Sequence, residues 1–463
     1  PPAEVRALMT DAVNWGMNLA GFYELRYVFT QLEGQPAFRG INRLQRNRVL
    51  MDAKQRYATT INASTLYSGG NFDLSSEPVV VLTPAAKDDR YWSVQAVDPR
   101  ANWFLKVGPQ FTGREAQQIL VMGPHWQGKL PSGFRSTQIV RAPSDSVQIM
   151  MRIAVTTRDA ADMAAANAIM DQFLAMPLSL WLANGRRPVP VEQQPVVRGT
   201  YATVPRMPKI VDVARSATGV DYLQLLSLVV NDRSITKLAD SAFEQRSLAR
   251  LARLGVREGA LFDPVALTAA QREAVETGWR ESRAKARAAF AARSLDMNGW
   301  KLQSSLYVDP QDHEALAGAA DVAWGSPVPF ESHTIGFVFQ DAEGHALEGN
   351  RRYTLTFDVK ALPPVSQFWE LPVYDELGYF VDNPLDRYSA TSYQFAAGAY
   401  LVENGRLTFY LQSTPPENPE QRRNWLPTPA TGRFQLAARF YGPETPLIDG
   451  TYAMPRIVPS KPQ

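Results

Sequence analysis

The feature of the sequence that most constrains the fold is an internal match between two pairs of strand-like segments. Each half of the chain holds an aromatic residue, a tryptophan, alternating apolar residues and an aspartate six residues after the tryptophan, in Arg90–Asp98 and Gln367–Asp375. Each half then repeats a second pattern, VQIMMRI at Val147–Ile153 and FQLAARF at Phe434–Phe440. Because the two matches come in the same order at similar separations, they indicate a duplicated β-sandwich or jelly roll.

Short β-rich runs separated by Gly, Pro, Asp and Asn surround these matches. In the first half the predicted strands are Pro78–Thr83, Tyr91–Asp98, Gln118–Gly123, Gln138–Arg141 and Val147–Val155. In the second half they are Gln303–Val308, His333–Phe339, Tyr353–Phe357, Phe368–Tyr374, Leu407–Leu411 and Phe434–Tyr441. The two halves therefore have the same β-rich character.

Helical spacing of apolar residues dominates the stretch between the two β-rich regions, and also the first thirty or so residues. Thr268-Ala-Ala-Gln271 is a capping-box signature, which predicts a helix from there to Arg293. The proline-rich segment Arg186–Pro208 is expected to be an extended arm. The expected fold class is mixed α and β, with two β-sandwich (jelly-roll-like) domains flanking an α-helical domain. The expected boundaries are 1–157 for the N-terminal helix plus the first β-domain, 158–300 for the helical domain and 301–463 for the second β-domain.

Composition excludes several classes of protein. The 48 Lys and Arg residues against 46 Asp and Glu give a net charge of +2 without long runs of one sign, which argues against a nucleic-acid partner. The longest apolar runs fall far short of the roughly 20 residues of a transmembrane helix. The absence of cysteine excludes disulfides and thiolate chemistry and agrees with an oxidising compartment. A start at Pro1-Pro2 without Met suggests a trimmed chain, so we expect a periplasmic or secreted protein.

Standard catalytic and cofactor motifs are missing from the sequence. The histidines have no spacing typical of metal ligands; they are His125, His313, His333 and His345. There is no Gly-x-Ser-x-Gly elbow and no glycine-rich loop of the Rossmann or P-loop type. We therefore expect no cofactor and no histidine-based metal site, while calcium binding through carboxylates alone stays open.

Polar and aromatic clusters within the β-rich regions are the candidate site. They are Asn62–Ser68, Asp98–Trp103 and Tyr374–Tyr388, whose residue types are those that line pockets for sugars or other small polar ligands. An alternative of equal weight is that these side chains satisfy backbone groups in loops. Aspartate at the end of a strand, as at Asp98 and Asp375, is most often a turn former.

Proton transfer without histidine needs a carboxylate with a shifted pKa or a tyrosine. Asp98 and Tyr67 are therefore the predicted catalytic residues. The predicted ligand-binding residues are Asn62, Thr65 and Asn102 in the first module, with Asp375, Asn383 and Arg387 as their counterparts in the second.

Ordered motifs over nearly the whole chain resemble one bacterial family. The motifs include Asn62–Ser68, Arg90–Phe104, Val121–Trp126, Pro177–Trp181, Leu362–Val365, Val381–Pro384 and Asn424–Pro427. They are similar to the tandem proteins in which DUF1254 is followed by DUF1214. The resemblance implies a β–α–β arrangement, often after a secretory signal. Family members usually have aspartate where this chain has Ser64, so a carboxylate role at that position would be altered here.

Two functions of different classes are compatible with these observations. The first is an exported protein that binds a small polar or carbohydrate-like ligand in a β-domain pocket, with hydrolase or lyase activity as the chemistry considered. The alternative is a non-enzymatic structural or interaction protein that forms a homodimer through its duplicated sandwiches. A cavity around Asp98 and Tyr67 favours the first function, whereas burial of both side chains against backbone partners favours the second.

Overall fold

The structure is a computed structural model that describes residues 1–56, 58–210, 217–235, 241–302, 311–323 and 332–460. The predicted strand Gln303–Val308 lies outside these residues. The described part is a mixed α and β protein with four sheets, each built mainly from antiparallel pairs.

The first half of the chain forms two sheets. Sheet 1 has the order β1 (Gln45–Asn47), β2 (Thr65–Asp73), β8 (Ser146–Ala154), β4 (Trp92–Val97) and β5 (Trp103–Val107). Sheet 2 has the order β7 (Ile139–Arg141), β6 (Gln118–Met122), β3 (Val79–Leu82) and β9 (Leu174–Pro177). One hydrophobic cluster takes alternate residues from both sheets, including Trp92 of β4 and Val80 of β3. We call these two sheets the first module.

The second half forms another two sheets, the second module. Sheet 3 has the order β10 (Leu295–Met297), β11 (Trp300–Leu302), β12 (His333–Val338), β19 (Phe434–Pro443), β14 (Val365–Asp375) and β15 (Ser389–Thr391). Sheet 4 has the order β16 (Val402–Glu403), β17 (Arg406–Gln412), β13 (Tyr353–Asp358) and β20 (Ile457–Pro459), with β18 (Trp425–Pro427) beside β17. Again one cluster joins the two sheets, including Trp369 of β14 and Phe409 of β17.

Strand pairing repeats between the modules with the same register. Trp92 lies opposite Ile153 in sheet 1, and Trp369 lies opposite Phe440 in sheet 3, so both tryptophan strands pair with the strand of the second sequence match. The order β2-β8-β4-β5 in sheet 1 corresponds to β12-β19-β14-β15 in sheet 3. Each second sheet also contains a parallel pair at the corresponding place, β6 with β7 and β17 with β18. The two tryptophans therefore occupy equivalent positions.

Nine α-helices lie in the described residues. They are α1 (Pro2–Thr30), α2 (Ala160–Met170), α3 (Leu178–Ala183), α4 (Gly219–Asn231), α5 (Ser241–Arg253), α6 (Ala269–Ala291), α7 (His313–Ala323), α8 (Ser392–Ala396) and α9 (Thr445–Ile448). The predicted capping box at α6 is present, because the Thr268 hydroxyl accepts the amide of Gln271 and the Gln271 side chain accepts the amide of Thr268. No described helix is both long and apolar enough to cross a membrane.

The packing divides the chain differently from the expected boundaries at 157 and 300. Helix α1 shares its hydrophobic cluster with α4, α5 and α6 instead of with the first module. Conversely, α2 and β9 lie after residue 157 but pack in the first module, through Ala166, Phe173 and Met176. Helix α7 follows residue 300 yet packs on α6 through Ala315 and Ala319. Helical spacing correctly predicted α1 and α2, but it also included the residues of β9 in a helix and did not predict α7. It carried no information about the packing partners of these elements.

Candidate functional site between the two β modules

The outward face of sheet 1 carries polar side chains that are nevertheless buried. Because side chains alternate along a strand, Trp92 and Val94 enter the core of the module while Ser93 and Gln95 lie on the other face. Arg152 on β8 lies opposite Ser93 on β4 and opposite Tyr67 on β2, so these side chains share that outward face. Arg152 is 7% exposed.

The outward face of sheet 3 is built in the same way. Trp369 and Leu371 enter the core, while Glu370, which is fully buried, lies opposite Arg439. On the next strand His333 lies opposite Tyr441.

These two outward faces meet each other. The side chain of Asn62, just before β2, donates to the Tyr441 hydroxyl, and the amide of Ala63 donates to Glu370 at 3.2 Å. The ring centroids of Tyr91 and Tyr441 are 5.0 Å apart. We call the residues enclosed here the inter-sheet cluster; its members are Tyr67, Gln95, Arg152, His333, Glu370, Arg439 and Tyr441.

Arg152 makes one hydrogen bond with its guanidinium, from Nη1 to Oε1 of Gln95 at 2.7 Å. The rings of Tyr67 and Trp103 flank it, with centroids 5.9 and 5.7 Å from Cζ. Within the described ranges no carboxylate lies within ion-pair distance of Arg152. A cation so enclosed normally has an anionic partner, because burial of an uncompensated charge is costly.

Arg439 has a different environment on the opposite sheet. It donates to the carbonyl oxygen of Thr60, and its Nη2 is 3.5 Å from the Tyr374 hydroxyl. Burial acts to lower the pKa of Arg439. The nearby Tyr374, Tyr441 and Glu370 outweigh burial, so the pKa lies above its usual value. Glu370, which lies opposite Arg439 in the strand pair, is the carboxylate among these groups.

Burial also shifts the neighbouring side chains towards their neutral forms. The pKa of His333 is lowered well below 6.5, first by burial and then by the charges of Arg152 and Arg439. The His333 ring stacks on Tyr441 with centroids 5.0 Å apart. Burial, and next the proximity of Tyr67, raises the pKa of Tyr441 well above 10.0. Neutral imidazole and phenol groups are both donors and acceptors of hydrogen bonds.

Several buried polar atoms on these faces have no hydrogen-bond partner within the described part of the chain. They are Oγ1 of Thr65, Oε2 of Glu370 and Nε of Arg439. Unpaired buried polar atoms are rare in folded proteins because each costs about 1–3 kcal/mol. A polar molecule bound between the two sheets would find partners in these three atoms.

Three of the site residues predicted from the sequence lie at this interface, namely Asn62, Thr65 and Tyr67. Asn62 joins β2 to sheet 3, and its Oδ1 accepts the amides of Ser64 and Thr65 at 2.7 and 2.8 Å. Tyr67 belongs to the inter-sheet cluster, two residues further along the same face as Thr65. Ser64 is completely buried, and its hydroxyl is 3.4 Å from Oδ1 of Asn62.

Asp98 and Asn102 instead build the turn between β4 and β5. Oδ1 of Asp98 accepts the amides of Arg100 and Asn102 at 2.9 and 2.8 Å, and its Oδ2 accepts the Asn102 side-chain amide at 2.8 Å. Burial raises the pKa of Asp98. Asp98 follows Val97, which pairs with Gln148, four residues along β8 from the Arg152 that faces Tyr67. Asp98 is one position further on, so five residue spacings, about 16 Å along the sheet, separate it from Tyr67, and the register does not bring the predicted catalytic pair together.

The same turn occurs at Asp375 and at Asp341. Oδ1 of Asp375 accepts the amides of Leu377 and Tyr379, each at 2.9 Å. Oδ1 of Asp341 accepts the amides two and four residues on in the same way, at 2.9 and 3.0 Å. Asp98, Asp341 and Asp375 therefore share one role as turn formers, which is the alternative that the sequence left open for the two strand-end acids.

The other predicted residues of the second module hold loops. Asn383 donates to the carbonyl oxygens of Val381 and Arg387 at 3.0 and 3.1 Å. The guanidinium of Arg387 donates to three backbone oxygens, those of Arg422, Arg423 and Trp425. These contacts fasten the loop before β15 to β18, and they use the polar groups that were expected to bind a ligand.

Sequence reasoning missed Arg152, Gln95, Glu370 and Arg439. The signal was present in the matched segments themselves, since both FQLAARF and VQIMMRI place an arginine in an otherwise apolar strand. In each strand the arginine lies on the face opposite to the core residues that follow and precede it. Charged residues on the second face of a strand that is buried on both faces are the feature to look for.

One group of side chains in the described residues has the spacing of a metal site, Asp341, Glu343 and His345. It lies in the aspartate turn described above, with Glu343 and His345 exposed. Nη1 of Arg351 is 3.8 Å from Oδ2 of Asp341, so this turn already contains a cation. The group is explained by the turn.

Comparisons with known proteins agree with the two-module architecture. A family model described as a protein of unknown function, DUF1254, matches residues 41–177, and another with the same description, DUF1214, matches residues 334–445. Among curated proteins, none matches the chain. The crystal structure of the VPA0106 protein from Vibrio parahaemolyticus is similar with a TM-score of 0.68 and 23% identity, over 99% of this chain and 100% of that chain. An uncharacterized protein from Burkholderia cenocepacia has a TM-score of 0.44 and 11% identity, over 99% and 95%. The likeness to the Vibrio structure shows a common fold.

Proposed function

We propose that the protein, whose chain matches DUF1254 followed by DUF1214, binds a small polar molecule in the inter-sheet cluster, where its two modules meet. The observation that carries the proposal is Arg152, which is buried between two sheets without a carboxylate partner among the described residues. The unpaired atoms of Thr65 and Glu370 support it. The site therefore belongs to both modules, and not to a pocket inside one β-domain.

Several finer expectations stay proposals with different support. We propose that each pair of sheets is a β-sandwich, because each pair shares one hydrophobic cluster. A carbohydrate-like ligand is compatible with the aromatic rings of Tyr67 and Trp103 beside polar groups. Tyr67 stays the candidate proton donor or acceptor for a hydrolase or lyase reaction. Export stays a proposal supported by the lack of cysteine, and the homodimer stays a prediction.

The proposal is tested by finding a ligand and its position. Purified full-length protein is screened by thermal shift against neutral sugars, polyols, amino acids and small organic acids, and hits are soaked into crystals. We expect at least one hit whose density contacts Arg152 or Tyr67. Arg152→Gln is expected to lose the shift, whereas Arg406→Gln, an exposed arginine on β17, keeps it. Density elsewhere for every hit, or a crystal structure in which Arg152 pairs with a carboxylate of the chain, would exclude this function.

A further inference from the structure

We propose that the group recognised in the inter-sheet cluster is a compact oxyanion, a carboxylate or a phosphate, bound by Arg152; this inference rests on the proposed function. The internal repeat provides two versions of the same strand pair in one protein. At equivalent positions the two modules carry the same arginine, but they differ in the residue opposite it.

Among the described residues, a carboxylate lies opposite the arginine in one module but not in the other. Arg439 lies opposite Glu370 on β14, whereas Arg152 lies opposite Ser93 on β4. Both pairs are buried, with Ser93 and Glu370 each at 0% exposure. Among the described residues the second module thus places a carboxylate opposite its arginine, near enough to act on its charge although the two form no ion pair, whereas the first module places a hydroxyl there.

The charges of the cluster leave an excess of positive charge. Two guanidiniums, Arg152 and Arg439, face one carboxylate, Glu370, whose effect falls on Arg439. His333 adds no charge, since its pKa is lowered well below 6.5. An anion at Arg152 would remove the imbalance, and attraction is strong there because the enclosed site has a low dielectric.

The geometry around Arg152 suits a small, shaped anion. Nη1 of Arg152 donates a hydrogen bond to Oε1 of Gln95 at 2.7 Å. Gln95 also accepts from the Ser93 hydroxyl and donates to the Ser332 hydroxyl, and these contacts orient the guanidinium. The rings of Tyr67 and Trp103 lie on either side within 6 Å and limit the width of a ligand. The planar fork of arginine binds carboxylate and phosphate oxygens in pairs, which gives affinity and direction together.

The experiment measures binding of sodium acetate, inorganic phosphate and glycerol to the full chain by calorimetry at constant ionic strength. Acetate and phosphate distinguish the two oxyanions, and glycerol is the neutral polar probe. We expect one oxyanion to bind to wild type and to Arg406→Gln. Ser93→Glu, which copies Glu370 into the first module, is expected to weaken that binding by about tenfold or more. Arg152→Gln is expected to do the same, and Arg152→Lys to retain part of the affinity.

The outcomes separate this inference from the proposed function. Glycerol or a sugar bound in the cluster, with no oxyanion bound, would overturn the inference and leave the function standing. Oxyanion affinity that is equal in wild type, Ser93→Glu and Arg152→Gln would also overturn it. No probe in the cluster at all would remove both. Should one variant fail to fold, the remaining variant and Arg152→Lys decide the question.

Discussion

Arg152 and Arg439 occupy the same register position in two equivalent strand pairs, on faces that are turned towards each other. Each arginine is four residues after a matched glutamine and one residue before a core-facing residue opposite the tryptophan, Ile153 or Phe440. Their surroundings have diverged, since serine lies opposite one and glutamate opposite the other. The repeat has therefore kept the framework of the site while its two halves have acquired different chemistry.

Asp98 is a buried turn former, and its carboxyl group should make the stability of the protein depend on pH. Its pKa is raised by burial, so the folded state binds a proton more tightly than the unfolded state. Its contribution is then most favourable in acid and is lost as pH rises above the ordinary value of 3.8. We expect the free energy of unfolding of Asp98→Asn to increase relative to that of wild type as the pH rises from about 4 to 7. Denaturant unfolding at several pH values measures it, and a difference independent of pH would contradict the expectation.

Ala101 occupies a backbone conformation that favours glycine. Its φ is 62°, and the glycines at the same position of the two other aspartate turns, Gly344 and Gly378, have φ of 86° and 89°. Ala101→Gly is therefore expected to raise the free energy of unfolding by about 0.5–1 kcal/mol. The reverse change Gly344→Ala, where a Cβ would contact nothing within 4 Å, is the matched control and should lower it by about 1 kcal/mol. Equal stability of Ala101→Gly and wild type would show that the turn relaxes around alanine.

The Asp98 turn presents Arg100 to the helical region. Nη2 of Arg100 contacts Oε2 of Glu244 at 2.6 Å, and Glu244 also accepts from the indole of Trp15 at 2.9 Å. Because the Arg100 and Glu244 side chains are only 12% and 4% exposed, Glu244→Gln is expected to cost about 3 kcal/mol of stability.

The exposed pair Arg250–Asp11 supplies the control for this ion pair. Their side chains are 41% and 34% exposed, so Asp11→Asn should cost less than about 1 kcal/mol. The double variant Arg100→Met with Glu244→Leu should recover part of the loss, and chemical denaturation measures all three. Costs that are the same at the two pairs would mean that burial does not set the energy here.

His333 should lower stability in acid. Its pKa is lowered in the folded protein, so the unfolded state binds the proton more readily, and stability falls as pH drops below about 6.5. The groups that face it are Arg152, Arg439 and Tyr441, none of which gains charge in that range. His333→Phe, which preserves a ring against Tyr441, is expected to reduce the slope of stability against pH between about 5 and 7. Equal slopes for wild type and His333→Phe would refute the effect.

Local pattern was sufficient for most elements of the fold. The strands β4, β8, β14 and β19 and helix α6 lie where alternation and the capping box predict them. Strand β2 was missed because its polar residues and glycines resemble a loop. A Cβ at Gly70 would lie 2.1 Å from the carbonyl oxygen of Arg43, so a close approach of another segment selects glycine there. That reason is visible only after the chain has folded.

The candidate site could be predicted only in part, because it forms where two distant faces meet. Asn62, Thr65 and Tyr67 were found, since polar residues in a β-rich segment are conspicuous. Asp98 and Asp375 were equally conspicuous, but the amides that they accept come from their own turns. The partner of Asn62 is Tyr441, and no local rule connects residues so far apart in the sequence. Alternation shows that Arg152 leaves the core of its module, but only the packing shows what it meets.

The place of α1 has a consequence for how the protein is made. The ribosome synthesises this helix well before its partners α4 and α6, which begin at Gly219 and Ala269. At about 5–20 residues per second, the apolar side chains of α1 wait on the order of ten seconds or more for those helices. Throughout that interval the side chains of Leu8, Met9 and Val13, which are buried in the folded protein, are exposed to non-specific hydrophobic contacts. Helix α1 is therefore held in its final place only long after it has been synthesised.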